Sequence, residues 1–455
     1  MNFTSLFFLP LYGLTAALYP RLKARNRTFL LLFSSWLFFL LESPASGLIL
    51  FGMILLTFSA GLGMAGCRNR PGLKKLLLST VLVLSLGTLF LFKYTGRFFL
   101  PAGISFYTFQ ALSYTIDVYR GRFPAERDIP RYALYLSFFP QVVAGPIERP
   151  GDLLEQLKCQ RQPSQGDFRL GGFLMLRGYV KKIVIADSLA PLADLLFAGE
   201  GGFTGPRVLA AALLFALQIY ADFSGYSDIA LGSARLLGIR LSENFRSPYL
   251  AGSLRDFWRR WHITLSRWLT DYIYIPLGGN RRGPVRTALN TLLVFAASGI
   301  WHGRGAHFLV WGLIHSILLL TEEAACAFWG KEKASPAGWE RILQTAGTFL
   351  TVTLLWILFR APSLSAALAM YRALPFGWGH AQDIGAWIMT HRLSFVRMAS
   401  ALPLLFLLRH VPDERDVPPG MKALAGGYIL FVLTLISLFL NLQSGGAAAF
   451  IYFQF

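Results

Sequence analysis

Long apolar stretches separated by short polar gaps recur along the whole of this 455-residue chain. Leu76–Phe92, Val208–Tyr220, Phe308–Leu320, Ala346–Phe359 and Tyr428–Leu440 contain no Asp, Glu, Lys or Arg. Several approach the ~20 residues with which one helix crosses a bilayer core, and on that measure the chain predicts roughly ten to thirteen membrane-associated helices. The expected fold class is therefore all-α and polytopic. Met1–Pro20 lacks the basic start and small-residue cleavage site of a signal peptide and reads as a retained first helix. The polar stretches Glu148–Gln165, Gly330–Glu340 and Pro412–Gly420 are short and carry turn residues, so they read as loops. With no long linker and no internal repeat, a single membrane domain over 1–455 is the simplest organisation.

One segment departs from plain membrane helix. From Leu254 to Tyr272, the residues Leu254, Phe257, Trp258, Trp261, Leu265, Trp268, Leu269 and Tyr272 recur at steps of three and four, one apolar stripe on a helix. Arg259, Arg260 and Arg267 fall off that stripe. The region 240–286 holds nine arginines against three acids. A basic, Trp-rich amphipathic helix of this kind lies in the membrane interface, and positive charge places it on the cytoplasmic side.

Composition agrees with the pattern: 54% of residues are hydrophobic and 15% are charged, where a soluble domain carries about a quarter. The net charge of +19 would suggest nucleic acid in a soluble protein, but here its placement decides otherwise. Arg21, Lys23, Arg25 and Arg27 fill one gap, Arg68, Arg70, Lys74 and Lys75 another, and Arg120, Arg122, Arg127 and Arg131 a third, whereas Glu42–Ser46 and the region near Arg97–Pro101 are poor in positive charge. Alternate basic loops set a topology with the N-terminus outside the cytoplasm. Cys67, Cys159 and Cys326, odd in number and far apart, give no disulfide or metal framework and read as small core or interface residues.

Seven histidines remain to be explained. His380, His391 and His410 lie at or near loops and read as solvated. His315 sits inside an apolar run, as a packing residue or a support for a neighbour, and His307 is near the same turn. His302 closes the run Leu289–Trp301 and precedes Gly303, so a helix should end there with a left-handed glycine. An ionisable group at that depth is costly and reads as functional, or as a neutral ring bonded to a helix carbonyl. His262 falls at the edge of the Trp stripe, facing the basic side, where an interfacial role is the simpler reading. No histidines have zinc-ligand spacing with a third ligand, so no metal is expected. A neutral imidazole is a general base for a hydroxyl nucleophile, and acyl transfer to an alcohol suits an apolar site. Arg259, Arg260 and Arg267 could hold the phosphates of an acyl carrier, although anchoring to anionic lipid demands the same residues. Two polar insertions, Gln218 to Asp228 including Asp222, and Gln141 to Arg149, interrupt apolar runs. Polar, glycine-broken helices line cavities, in an enzyme or in a transporter alike.

The wording of these segments resembles the membrane-bound O-acyltransferase (MBOAT) family, in its bacterial branch typified by the membrane subunit of alginate O-acetylation. The resemblance runs from Leu91-Phe-Lys-Tyr94 to Phe450–Phe455. It rests most on Phe257-Trp-Arg-Arg-Trp-His-Ile-Thr-Leu-Ser266 and Ser298-Gly-Ile-Trp-His-Gly303, with support from Gly103–Gln110, Tyr114–Arg120, Phe138–Ile147, Ala221–Asp228 and Asn244-Phe245. It implies membrane helices around a central funnel, with His302 as the essential histidine and His262 as the second. Gln218, Asp222, Ser298 and Trp301 are candidates for the funnel lining. It also implies a cytoplasmic thioester donor, acetyl-CoA or another acyl thioester, as substrate rather than a bound cofactor. The acceptor would be hydroxyls of an exported polysaccharide, with a secreted or membrane-anchored partner. Glu148-Arg149-Pro150 departs from the branch's pattern and leaves the polymer open. Transfer of D-alanine to teichoic acid, or of an acyl group to a lipid or protein, would use the same fold. A transporter or flippase of an acyl carrier, or a scaffold that recruits a soluble acetyltransferase, are rivals without chemistry.

Overall fold

A computed structural model describes residues 3, 5, 7–67, 69–199, 202–328, 338–379 and 381–409. His380, His410, the loop Pro412–Gly420, the run Tyr428–Leu440 and the end Phe450–Phe455 lie outside the described residues. Every described regular element is helical. Among the described residues, five helices are long and apolar enough to cross a membrane: Pro44–Gly66, Pro71–Tyr94, Gly205–Leu236, Ala306–Phe328 and Gly338–Arg360. The segment after Met1 forms the helix Phe8–Leu18 as expected, and Ala24–Glu42 and Ile104–Arg120 add further helices of 19 and 17 residues.

The chain separates into two compact units. The first comprises the described residues of 1–179 and Tyr226–Glu243. Within it Pro44–Gly66 starts with a proline in its first turn and with Ser43 Oγ accepting from Ser46 N, both sequence-readable start signals. That helix packs on Ile104–Arg120 through Gly61, where a Cβ would stand 2.5 Å from the Tyr114 hydroxyl. The side of Pro71–Tyr94 carrying Leu76, Val83 and Phe90 is exposed, as a lipid-facing surface should be.

The polar insertion around Gln141 lies in this unit. It closes a buried hydrogen-bond network. Gln141 Nε2 donates to Gln110 Oε1 (3.0 Å), Gln110 Nε2 to the Tyr135 carbonyl (2.6 Å), and the Tyr135 hydroxyl to the Glu148 carbonyl (3.0 Å). Glu148, fully buried, accepts from Ser242 N and Oγ. Burial pushes its carboxyl up to about 8, partly opposed by these bonds to Ser242. The expected loop Glu148–Gln165 is partly helical, with a π-turn at Pro150–Leu154 and a short helix Glu155–Cys159. The cysteines are not core residues: Cys67 is half-buried, and Cys159 and Cys326 are exposed.

The second unit comprises the described residues of 180–225 and 244–409. Its core is aromatic, with Trp261, Trp311 and Trp356 each about 1% exposed. The helices Pro284–His302 and Ala306–Phe328 form a hairpin whose backbones nearly touch. A Cβ at Gly312 would lie 2.2 Å from the Phe295 carbonyl oxygen, and one at Gly299 would lie 2.3 Å from that of Phe308. Only glycine permits this approach.

The single amphipathic helix expected over Leu254–Tyr272 is broken in this unit. Helices Leu254–Arg260 and Ile263–Leu269 are separated at Trp261-His262, and His262 takes φ 44°, ψ 53°. The break follows from a strand-like exchange with the preceding loop: Arg246 N donates to the Arg260 carbonyl and Ile263 N to that of Asn244, both at 3.0 Å. The stripe residues are nonetheless mostly buried, and Arg259 and Arg267 are exposed. Three- and four-residue periodicity read the burial correctly and could not show the break.

Candidate active site

His302 is the last residue of Pro284–His302, as the sequence predicts, but the glycine that follows is not left-handed. Gly303 has φ −170° and ψ 170°, an extended backbone. Glycine is required there for space, since a Cβ would lie 2.1 Å from the Phe308 ring. The His302 side chain is 4% exposed and stands edge-on to Trp311 (centroids 5.3 Å, 89°), Phe359 (5.1 Å, 71°) and Trp301 (4.9 Å, 78°). Ser298, one turn earlier on the same helix, is also buried. An imidazole enclosed by three aromatic rings is shielded from bulk water, so a proton transfer at this ring would take place in a low-dielectric setting.

His262 is 1% exposed and does not face the basic side. The reversal at its left-handed backbone turns the ring inward. There it meets Phe223 edge-on at 4.7 Å and Trp301 at 6.0 Å. A positive φ at a residue other than glycine costs of order 1–3 kcal/mol and is concentrated at functional sites. The Nδ1 atom lies 3.2 Å from Asn244 Oδ1. Burial pushes the imidazole down to about 3, so it is neutral at physiological pH. The two histidines flank one indole, that of Trp301, from different elements of the same unit.

His315 is the packing residue the sequence suggested. It is fully buried, accepts a 3.4 Å hydrogen bond at Nδ1 from Trp258 Nε1, and stacks among Trp258, Trp311 and Phe295. His307 is buried against Phe308, and His391 is half-buried against Trp387.

Asp222 is buried and held at 2.9 Å by Lys182, which also reaches Asp187 at 2.9 Å. The side chain of Gln218, one turn before Asp222, is buried too, and its Oε1 has no hydrogen-bond partner among the described residues. Arg260 is paired with Asp256 at 2.8 Å. Beside the aromatic core lies a cavity of about 550 Å³. Neither histidine lines it. Tyr249 does, and its hydroxyl accepts from Trp356 Nε1 at 3.1 Å; Trp356 in turn packs on Phe359 and Trp311, the walls around His302. Arg341 and Arg409 are its cationic lining residues, among apolar walls such as Ile342, Phe349 and Leu405.

Sequence reasoning missed two participants. Lys182, which pairs with Asp222 and Asp187, was not singled out, because nothing local in the sequence joins it to a carboxylate 40 residues further on. Asn244 stood inside a noted motif without a role, because the partners it touches, His262 and Thr264, are 18 and 20 residues further along the chain.

These features define a polytopic, all-helical membrane protein whose imidazoles are built into an aromatic core. The chain belongs to the membrane-bound O-acyltransferase (MBOAT) family, whose model matches residues 120–358, and it is accordingly an acyltransferase. It is 34% identical over 490 residues, 98% of each chain, to a protein named probable alginate O-acetylase AlgI from Pseudomonas putida. It is 35% identical over 344 residues to the peptidoglycan O-acetyltransferase of Helicobacter pylori, covering 66% of this chain and 65% of the relative. A more distant similarity, 25% over 260 residues, covers 54% of this chain and 65% of the teichoic acid D-alanyltransferase of Bacillus subtilis.

Proposed function

We propose that this protein is the membrane component of an O-acetylation system for an exported polysaccharide. It takes an acetyl group from a cytoplasmic acyl thioester, acetyl-CoA or another carrier, and passes it towards a hydroxyl beyond the membrane, either on the glycan or on an extracytoplasmic partner. The observation that carries this reading is the enclosed His302, at the end of its helix and beside a second buried histidine across Trp301. A neutral His302 accepts the hydroxyl proton as the oxygen attacks the thioester carbonyl. The C–S bond breaks, an ester forms, and the thiol leaves with a proton. The printed names of the relatives favour an acetyl group on a carbohydrate polymer over D-alanine, whose relative is the less similar.

Further support comes from the cavity against Tyr249. Apolar walls with Arg341 and Arg409 suit a flexible apolar arm that ends in phosphate. Arg259 and Arg267, exposed, are the other candidates for donor phosphates, while Arg260 spends its charge on Asp256. The protein sits in a bacterial cytoplasmic membrane with its N-terminus outside, on the alternation of basic loops. The test is mass analysis of surface glycans from a deletion strain complemented with wild type or with His302→Ala. Wild type should restore the acetyl esters, and His302→Ala should restore none at equal membrane level. Full restoration by the variant would overturn the proposal and favour a transporter or scaffold.

A further inference from the structure

The hydrogen bonds around Asn244 determine which nitrogen of His262 holds the proton. Asn244 Oδ1 lies 3.2 Å from the backbone N of Thr264, 3.0 Å from Thr264 Oγ1 and 3.2 Å from His262 Nδ1. A backbone N–H can only donate. The amide atom it faces is therefore the oxygen, which fixes the orientation of the Asn244 side chain without reference to atom assignment. An amide oxygen can only accept, so His262 Nδ1 must be the protonated nitrogen. The remaining nitrogen, Nε2, then carries the lone pair. The ring cannot easily turn away from this arrangement, because Phe223 stands edge-on to one side of it at 4.7 Å and the left-handed backbone at His262 sets its direction.

We infer that Asn244 is a positioning residue that locks His262 in its Nδ1–H form, presenting Nε2 as a proton acceptor in the acyl-transfer site. This rests on the reading that His262 belongs to that site. Asn244 plays the part that a carboxylate plays behind many histidine bases, but as a neutral group. A neutral orienting group holds the tautomer without stabilising an imidazolium. It suits a histidine that binds and aligns a hydroxyl proton and leaves full proton abstraction to His302. Asn244 Nδ2, buried, has no hydrogen-bond partner among the described residues, so replacement by Asp keeps the acceptor and gives up no hydrogen bond seen there.

The experiment is ¹⁵N NMR of the full-length protein, labelled only at histidine, in lipid nanodiscs at neutral pH, with the His262 signals assigned from a His262→Gln difference spectrum. Wild type should show His262 as a neutral ring protonated at Nδ1. Asn244→Asp should keep that tautomer. Asn244→Leu should give the Nε2–H form or a mixture, and should lower the acetylation rate by about 100-fold or more, while Asn244→Asp loses much less. An Nε2–H ring in wild type, or an unchanged Nδ1–H ring in Asn244→Leu, overturns the inference. The wild-type and Asp spectra decide the matter even if the Leu variant fails to fold. The spectra do not depend on activity: an active His302→Ala would sink the proposed function and leave the tautomer result standing, while a wrong tautomer would leave acyl transfer standing.

Discussion

Glu148 shows how a single buried side chain ties the fold to pH. Burial disfavours the carboxylate and pushes its folded pKa up to about 8, above the ordinary glutamate value. A carboxyl raised in this way contributes stability that is present below the unfolded value and lost as pH rises through the folded one. Thermal unfolding of the detergent-solubilised protein should therefore show falling stability between about pH 5 and pH 8. Glu148→Gln, whose Oε1 can still accept from Ser242 N while its Nε2 donates to Ser242 Oγ, should flatten that slope; an unchanged slope would show that Glu148 is not its source. The sequence marked Glu148 as part of a polar insertion, as the start of a loop and as a departure from the family's wording, but gave it no partner. Its partner Ser242 is 94 residues away, and no local pattern joins the two. His302 was legible for the opposite reason. An ionisable residue closing an apolar run beside a tryptophan is a local anomaly, and the anomaly lies in the sequence itself.

At the scale of elements, the hairpin of Pro284–His302 and Ala306–Phe328 is what positions His302 and the Trp311 ring against it. Gly299 and Gly312 let the two helices approach to backbone contact. Gly312→Val would force its side chain into the Phe295 carbonyl, and overpacking costs about 1–3 kcal/mol, with more where backbone must move. The expected outcome is a clearly lower melting temperature in detergent and loss of glycan acetylation. A variant with wild-type melting would contradict the close packing. Hydropathy found both helices, since each is apolar over most of its length. It could not find the break at His262, because burial periodicity continues through Leu254–Arg260 and Ile263–Leu269 while the backbone does not. The glycine after His302 teaches the same lesson: its identity was informative, but it answers to the Phe308 ring rather than to a left-handed turn.

For the whole molecule, the net charge of +19 lies largely in the gaps between apolar runs. Basic gaps alternate with poorly charged ones along the chain, and nine arginines against three acids fall in 240–286. The all-helical membrane fold followed from apolar run length, and among the described residues five helices are long and apolar enough to span a membrane. The division into two units was invisible to sequence. Among the described residues its boundaries fall at Tyr179–Val180, inside the continuous helix Gly205–Leu236 and at Glu243–Asn244, where no linker composition marks them. The central claim, that this molecule performs acyl transfer at His302, is tested most directly by acetyl transfer in inverted membrane vesicles from the native host. Radiolabelled acetyl thioester is supplied on the cytoplasmic face, and label is measured in luminal glycan. Wild-type vesicles should incorporate label, and vesicles with His302→Ala at the same protein level should incorporate none; equal incorporation by the two would contradict the account.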